Sequence, residues 1–402
     1  MRLYYRDTAI WIVLAILIGL IVGGLDAVFG HVLLIITSFR TSHFFYLIPF
    51  LTIGGLITVF LYQRYGKVAG RGMGLIFNIG HHTDDVIPKR LIPLAMVATW
   101  LTHLFGGSAG REGVAIQIGA TVANRIGDIA KVKNRHIMIM LGMAAGFSGL
   151  FQTPFAATLF AVEVLVAGVI YYSAILPTLV ASVVAAQTSR FLGLSRISFS
   201  IVNLPKIDPM TIIKLLILGV LFGLVGYGFS WLLVRTKSKL ASLFPNPYTR
   251  IVVGSIILSI LFISLGQGRY SGLGTNLILD VFQGGHIFAW DFILKFILTI
   301  LTLSLGFQGG EVTPLFAIGA TLGIILGALF GLPLTFVAAL GYAAVFSSAT
   351  NTFFAPILIG CELFGFSLLP YLFITISVSY AFNFNHSIYS AQSILKAKKT
   401  DH

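Results

Sequence analysis

The stretch "GGSAGREGVAIQIGA", residues 106–120, sets the adjacent charges Arg111 and Glu112 among glycines, with long apolar runs on either side. An acidic side chain inside a membrane-spanning segment costs about 2.5–3.5 kcal/mol on insertion scales and is by default a functional hypothesis. The alternative is a structural acid that pairs with its neighbour Arg111. The choice between these interpretations depends on whether the flanking runs cross a membrane.

The composition indicates an integral membrane protein. Of the 402 residues, 57% are hydrophobic and 10% are charged, whereas about 25% of a typical soluble domain is charged. Apolar runs recur at 9–24, 44–62, 91–105, 211–234, 251–265, 292–305, 315–330 and 366–382. A helix of about 20 residues crosses a bilayer, and solidly apolar runs lack the alternation of barrel strands. The sequence therefore predicts an all-α, polytopic membrane protein.

The net charge of +13 comes from clusters of Lys and Arg between the apolar runs and near both ends of the chain. Such clusters mark cytoplasmic loops, which predicts cytoplasmic termini rather than nucleic-acid binding. No signal-peptide cleavage pattern follows the first apolar run, so Ala9–Leu25 is expected to be a retained helix. The single cysteine, Cys361, excludes an intramolecular disulfide framework.

Two matches at nearly the same offset indicate an internal duplication, a common feature of transporters. Ile118–Thr121 recurs as Ile318–Thr321, and "LGMAAGFS" at 141–148 recurs as "LGYAAVFS" at 340–347. The spacing predicts a first membrane half-repeat at 1–200, a linker at 201–210, a second half-repeat at 211–392 and a basic cytoplasmic tail at 393–402. The duplication alone leaves the relative orientation of the halves open.

Glycine and proline cluster before three apolar runs, in "AGRGMGL" at 69–75, "GGSAGREGV" at 106–114 and "GFQGGEVTP" at 306–314. Irregular backbone survives in a bilayer only where protein or a water-filled cavity satisfies its polar groups. A helix that begins there directs unpaired N–H groups and about half a positive charge at one point. Several such N-termini predict an anion site that needs no buried lysine.

Four motifs in order resemble those of the CLC family of chloride channels and anion/proton antiporters. "GREGV" resembles the family signature G-[KR]-E-G-P, and "GGEVTP" is similar to its G-x-F-x-P motif. "FQTPFAATLFAVE" at 151–163 resembles the helix between them, and "NHSIYSAQ" at 385–392 resembles the segment that carries the pore tyrosine, here Tyr389. The resemblance implies a CLC-type inverted repeat in which broken helices meet near the bilayer midplane.

Departures from the family pattern point to one branch. Met73 stands where the first anion motif, G-S-G-I-P, has its serine. A shifted register would place Arg71 there, but a bare guanidinium would hold an anion too firmly for turnover. Val164 occupies the position of the internal proton-relay glutamate of chloride/proton exchangers. The combination resembles the fluoride/proton antiporter branch, which implies export of fluoride from a prokaryotic cytoplasm in exchange for protons.

The resemblance assigns Glu112 the roles of gate and proton carrier, because its ionised carboxylate can itself occupy the anion position. The predicted ion-binding positions are Met73, Phe77, Gly113, Val114, Glu311, Val312, Thr313 and Tyr389; Phe77 is included because it lies one helical turn after Met73. Each residue type also has a structural alternative: acids and hydroxyls cap helices, methionine and phenylalanine fill cores, and tyrosines anchor at membrane interfaces.

Other polar residues are expected to be structural. Glu163 and Glu362 each end an apolar run, although Glu163 could assist protons in place of the missing relay residue. The segment that contains His81, His82, Asp84 and Asp85 has metal-ligand residue types without helical ligand spacing, so a polar loop is expected and no metal site. No nucleotide-binding fingerprint or HExxH motif is present, and no cofactor is expected.

The predicted partners are fluoride, protons, the lipid bilayer and a second copy of the chain, in the inner or plasma membrane of a prokaryote. One rival is a chloride/proton exchanger or passive anion channel on the same scaffold. Another is an intramembrane enzyme that uses Glu112, Glu311 and the pair His81–His82. No nucleophile–base pair accompanies these residues, so the protein is not expected to be an enzyme.

Overall fold

The computed structural model describes residues 2–81 and 86–395 and, within the first helix, side chains from Thr8 onward. Sheet in this part of the chain is confined to a parallel pairing of β1 (Val166–Ala167) with β2 (Ser393–Ile394). Six of its helical segments are long and apolar enough to cross a membrane, namely Thr8–Ser42, Phe44–Gly80, Tyr172–Phe191, Pro209–Leu243, Pro247–Ser264 and Val312–Phe330. The prediction of an all-α, polytopic membrane protein is confirmed.

The first half of the described chain forms nine α-helices. They are α1 (Arg2–Ser42), α2 (Phe44–Leu47), α3 (Leu51–Leu61), α4 (Met73–Gly80), α5 (Leu91–Leu104), α6 (Glu112–Ile129), α7 (Arg135–Phe151), α8 (Pro154–Glu163) and α9 (Ile175–Phe191). The segment 9–25 lies inside α1, as expected. The apolar run 44–62 is divided between α2 and α3 by a 3-10 turn at Ile48–Phe50, because Pro49 lacks the N–H that a continuous helix needs.

The second half forms eight α-helices in the described residues. They are α10 (Pro209–Leu243), α11 (Pro247–Ser264), α12 (Thr275–Gln283), α13 (Asp291–Leu305), α14 (Val312–Phe330), α15 (Leu334–Thr350), α16 (Phe354–Phe364) and α17 (Leu369–Ala381). Residues 194–208 are non-helical and precede α10. Asp208 ends this segment because its carboxylate accepts a hydrogen bond from Thr211 N at 2.7 Å and caps α10.

The two halves meet in a symmetric contact at their glycine-rich turns. Gly110 N donates to Gly310 O at 2.5 Å and Gly310 N donates to Gly110 O at 2.8 Å, with the two segments antiparallel. A Cβ at position 110 would lie 2.9 Å from Gly310 O, so the contact requires glycine. Reciprocal bonds between residues at the repeat offset define a local two-fold axis, which is the relation of an inverted repeat.

α8 and α16 form a second symmetric pair. Glu163, at the end of α8, accepts a hydrogen bond from Ala355 N at 2.8 Å, at the start of α16. Glu362, near the end of α16, accepts one from Ala156 N at 2.9 Å, at the start of α8. Each carboxylate therefore satisfies the N-terminal N–H groups of the other helix and complements its dipole. Both acids have a structural role in the fold, as expected from the sequence.

Small residues bring the long helices of each half into close contact. Gly119 of α6 packs on the backbone of Gly142 in α7, and Gly319 of α14 packs on that of Gly341 in α15. A Cβ at any of these positions would overlap a backbone atom, and small residues commonly allow such approach between membrane helices. This packing buries α6 and α14 along most of their length and fixes their first turns beside the Gly110–Gly310 contact.

Candidate functional site

The site is built from the first turns of α6 and α14, which follow directly from the contact between the two glycines. Arg111 is the N-cap residue of α6 and Glu311 is the N-cap residue of α14, but neither side chain caps its own helix. The capping role considered for Glu311 is therefore not observed. The first N–H groups of both helices remain available to groups from elsewhere.

Glu112, the first residue of α6, places its carboxylate at the N-terminus of α14. Thr313 N donates to Oε2 at 3.2 Å, and the Thr313 hydroxyl lies 2.6 Å from both carboxylate oxygens. Arg111 N donates to Oε2 at 3.2 Å. The Glu112 side chain is fully buried. Donors at the N-termini of two helices, one from each half, thus hold one buried carboxylate, in the way that helix N-termini bind anions.

A narrow cavity, which we call the outer cavity, reaches this carboxylate from one side. Its volume is about 40 Å³, and Glu112, Thr313, Arg111, Tyr342 and Arg196 are among the residues that line it. Arg111 Nε lies 3.8 Å from Glu112 Oε1. The outer cavity is thus lined by Glu112 and by two arginines, Arg111 and Arg196.

A wider cavity of about 390 Å³, the inner cavity, approaches from the other side. Its lining includes Met73, Gly113, Gln117, Glu311 and Tyr389 together with the basic residues Arg71, Lys237 and Arg250. Two of these, Arg71 and Lys237, belong to basic clusters of the kind expected on the cytoplasmic side. Three positive charges raise the local concentration of anions. Glu112 lines the outer cavity but not the inner one, whereas the next residue, Gly113, lines the inner cavity.

The start of α4 adds a third helix N-terminus to the inner cavity. α4 begins at Met73, with Gly72 as its N-cap residue at φ +53°, a conformation that favours glycine. Met73 is therefore the residue at the helix start, in the register preferred from the sequence. Arg71 lies in the preceding 3-10 turn and lines the same cavity.

Tyr389 presents a hydroxyl to the inner cavity. The hydroxyl is buried and has no hydrogen-bond partner among the described residues. The ring stacks on Phe77, with centroids 5.1 Å apart and planes at 28°, and meets Phe160 edge-on at 6.2 Å. A buried polar group without a partner is rare and calls for a ligand or water. The neighbouring rings therefore fix the position of a hydroxyl that is unpaired among the described residues and belongs to a residue that lines the inner cavity.

Three of the predicted ion-binding residues lie behind the cavity linings. Phe77, Val114 and Val312 are buried and line neither cavity. Phe77 supports the tyrosine ring, whereas Gly113, next to Val114, reaches the inner cavity. A direct contact of these three side chains with the ion remains a prediction.

The remaining polar candidates lie apart from the two cavities. Val164 is fully buried at the end of α8. His81 Nε2 lies 3.2 Å from Ala391 O, near the end of the described chain. His82, Asp84 and Asp85 lie outside the described residues, so the expected polar loop without a metal stays a prediction.

Several residues that line the cavities were not predicted from the sequence. Gln117 lies one turn after Gly113 on α6 and contacts the same space, and this i, i+4 spacing was a usable signal. Lys237 and Arg250 come from α10 and α11, and Tyr342 comes from α15. No local pattern marks these three, because tertiary packing alone brings them to the cavities.

Comparison with known proteins places this architecture in a family. The profile of the voltage-gated chloride channel family matches residues 54–383. A chloride/fluoride channel protein of Pseudomonas syringae pv. tomato is 33% identical over 396 residues, which cover 96% of this chain and 87% of that protein. The match spans both halves and both glycine-rich turns.

Solved structures show the same relation. The crystal structure of a CLC-type fluoride/proton antiporter is 50% identical in sequence, with a TM-score of 0.96, over 97% of this chain and 99% of that chain. The structure of a slow cyanobacterial Cl⁻/H⁺ antiporter shares the fold at 23% identity and a TM-score of 0.80, over 93% and 94% of the two chains. This chain belongs to the CLC family of voltage-gated chloride channels.

Proposed function

We propose that the protein is a fluoride/proton antiporter that exports fluoride from the cytoplasm in exchange for protons. The observation that carries the proposal is that the buried Glu112 carboxylate accepts hydrogen bonds from Thr313 at the N-terminus of α14 and lines the outer cavity, while its neighbour Gly113 lines the inner cavity. The solved relative at 50% identity is a fluoride/proton antiporter, which supports the choice of substrates.

Protonation of Glu112 opens the anion position. The ionised carboxylate holds Thr313 N–H and hydroxyl by charge-assisted hydrogen bonds. A neutral carboxyl group accepts these bonds more weakly, so fluoride from the inner cavity displaces it. Proton and fluoride then exclude each other from one set of donors, and the movement of one requires the opposite movement of the other.

Fluoride binding needs strong donors, because a small buried anion loses its hydration shell. Thr313 supplies an N–H and a hydroxyl, and Tyr389 supplies a second hydroxyl at the inner cavity. Met73 and Glu311 complete the lining in this interpretation. Glu311 exchanges protons with the water of the inner cavity, and Met73 provides a weakly polar wall.

The test is simultaneous recording of fluoride efflux and proton uptake in proteoliposomes that contain the purified protein. We expect fluoride efflux down its gradient to drive proton uptake, and proton uptake to disappear in Glu112→Gln. Chloride loaded at the same concentration is the matched substrate and is expected to move far more slowly. Equal chloride and fluoride rates would favour a chloride exchanger, and fluoride flux without proton movement would favour a channel.

We also propose that the protein is a homodimer in a prokaryotic inner or plasma membrane. α8, α9, α16 and α17 pack on one another and expose apolar side chains, with Phe155, Leu176, Phe354 and Phe373 each at least 40% exposed. Exposed apolar surface of this extent suits a second copy as well as lipid. Light scattering in detergent is expected to give the mass of two chains, and the mass of one chain would contradict the proposal.

A further inference from the structure

A third cavity, which we call the Arg40 cavity, plays no part in the transport mechanism above. Its volume is about 420 Å³, and it lies between the end of α1, the segment that follows α11 and the first turn of α12. Its lining includes two arginines, Arg40 and Arg269, and no described acid. A cavity of this volume holds several water molecules, which occupy about 30 Å³ each in the liquid.

The Arg40 cavity and the inner cavity lie at opposite ends of α11. Arg250, near the start of this 18-residue helix, lines the inner cavity, whereas Gly266 and Gln267, just after its end, line the Arg40 cavity. Thr275 lines both the Arg40 cavity and the outer cavity. The Arg40 cavity is therefore a neighbour of the outer cavity, about one helix length from the inner one, or roughly 27 Å.

Arg40 brings a positive charge to this cavity without a matching acid. Its side chain is only 6% exposed, and it forms no ion pair in the described part of the chain. Its one hydrogen bond to a described residue runs from Nη1 to His103 O at 3.1 Å, so Nε and Nη2 are left for other acceptors. A buried guanidinium is costly unless an anion compensates its charge.

Lys295 of α13 adds a second buried charge close to Arg40. Its Nζ donates to Ser108 Oγ at 2.9 Å, to Tyr270 O at 3.2 Å and to Gly272 O at 2.7 Å. A Cβ at position 272 would overlap the Arg40 guanidinium, so both cations approach the same glycine. The three acceptors of Lys295 are neutral, and Lys295 likewise has no acid in direct contact among the described residues.

The acids nearest in the fold are bonded to Arg269 instead. Asp291, one turn before Lys295 on α13, accepts a hydrogen bond from Arg269 Nη2 at 2.7 Å, and Asp280 accepts one from Arg269 Nη1 at 3.1 Å. The cluster of Arg40, Lys295, Arg269, Asp280 and Asp291 therefore has one more cation than acids. A single monovalent anion would balance its charge.

The start of α12 directs backbone donors at the same cavity. α12 begins at Thr275, after the N-cap residue Gly274, and no side chain caps it. Gly274, Thr275 and Asn276 all line the Arg40 cavity. The first N–H groups of a helix have no acceptor within it, and they favour negative charge. A helix N-terminus and a guanidinium without an acid thus line one space.

We propose that the Arg40 cavity binds one small monovalent inorganic anion beside the outer cavity, on the face where fluoride leaves the protein. Charge-assisted hydrogen bonds from Arg40 and the first N–H groups of α12 hold the anion, and water in the cavity completes its hydration. Because the anion keeps part of its hydration shell, halides of different sizes bind. The role of this cavity in export rests on the function proposed above, whereas its occupancy by an anion does not.

Bromide is the probe, because its anomalous X-ray scattering marks its position in a crystal. Wild-type crystals soaked in sodium bromide are expected to show a peak within hydrogen-bond distance of an Arg40 nitrogen, and Arg40→Gln is expected to lose that peak. Arg190→Gln is the matched control, because Arg190 is exposed at the end of α9 and lines none of the three cavities. No peak at Arg40 in wild type, an equal peak in Arg40→Gln, or equal peaks at exposed arginines would overturn the proposal.

Asn276→Asp tests the cavity without a change to either buried cation. Asn276 is exposed at the second position of α12, where a carboxylate suits the helix dipole, and it lines the Arg40 cavity. The new carboxylate is expected to take the place of the anion, so that the bromide peak disappears while Arg40 keeps its position. An undiminished peak would contradict the proposal, and this readout remains decisive even where Arg40→Gln fails to give folded protein.

Transport kinetics test the role in export. With fluoride supplied to proteoliposomes on the side of the Arg40 cavity, Arg40→Gln is expected to raise the fluoride concentration for half-maximal transport about tenfold, because a charged cavity concentrates its anion. The maximal rate and the ratio of protons to fluoride are expected to stay close to wild type. An unchanged half-maximal concentration would overturn the role in export. A bromide peak at Arg40 in a wild-type protein without coupled exchange would leave the anion site standing and refute the proposed function instead.

Discussion

The two glycine-rich turns occupy equivalent positions in the repeat but carry different chemistry. In the register set by the Gly110–Gly310 pair, Arg111 corresponds to Glu311 and Glu112 corresponds to Val312. The first turn therefore has its acid at the first helical position, where the carboxylate reaches the opposite helix. The second turn has its acid one position earlier, where the side chain is partly exposed and lines the inner cavity.

Because of this difference, the two halves have different roles in the proposed mechanism. In the proposed mechanism, the first turn supplies a carboxylate that competes with an anion, and the second supplies the donors, chiefly Thr313, for which both compete. Position 113, the equivalent of Thr313, is glycine, which adds no side chain between the turns. A fully symmetric site would have either two competing acids or two donors without a gate. Exchange by this mechanism depends on the asymmetry.

The largest effect is expected from removing the acid of the first turn. Glu112→Gln keeps the side-chain size but cannot release or take up a proton, so coupled proton uptake is expected to fall to background. Fluoride flux and intravesicular pH recorded together provide the measurement. Glu311→Gln, the same change in the second turn, is the comparison. Proton coupling that survives in Glu112→Gln would break the assignment of the gate to the first turn.

A smaller effect is expected from the acid of the second turn. Glu311→Gln removes a proton carrier from the inner cavity but leaves the gate intact, so the exchange rate is expected to fall about 100-fold, as for loss of a general acid–base group. The ratio of protons to fluoride is expected to stay unchanged. An unaltered rate would show that the second turn contributes only donors.

Loss of the Thr313 hydroxyl tests the donor role of the second turn. Thr313→Val keeps the shape and the N–H but removes one hydrogen bond to a charged partner, worth roughly 1.5 kcal/mol, or about tenfold in fluoride affinity. Thr321→Val is the control on the same helix, because its buried hydroxyl donates to Ala317 O at 2.7 Å, away from the cavities. Equal effects of the two changes on fluoride binding would contradict the donor role.

The smallest effect on transport is expected from the symmetric caps. Glu163→Gln and Glu362→Gln each weaken a helix cap and are expected to lower the free energy of unfolding by about 1 kcal/mol, with similar losses because the contacts are reciprocal. Thermal unfolding in detergent measures the loss, and exchange rates are expected to stay unchanged. A loss of proton coupling in Glu163→Gln alone would give that residue the relay role instead.

The sequence predicts those features of the structure that depend on residues close together in the chain. Apolar runs specify helices, glycine-rich turns mark where helices begin, and an acid at such a turn identifies Glu112. The repeat offset also identifies the turn around Glu311 as the counterpart of the first turn. These signals work because each depends on neighbouring residues or on a comparison of the chain with itself.

The rest depends on contacts between distant segments. In the sequence, Lys237 and Arg250 resemble ordinary basic residues near helix ends. Only the packing of α10 and α11 shows that they line the inner cavity. The reciprocal caps of Glu163 and Glu362 likewise require the fold, although their positions at the ends of apolar runs indicated a structural role.

The most direct test of the mechanism is calorimetric titration of fluoride into the purified protein across a pH range in which fluoride stays ionised. The central claim is that ionised Glu112 and fluoride compete for the donors at the start of α14. Competition predicts that affinity in wild type rises as pH falls, whereas Glu112→Gln binds fluoride with an affinity that does not change with pH. The same pH dependence in both proteins would contradict the competition.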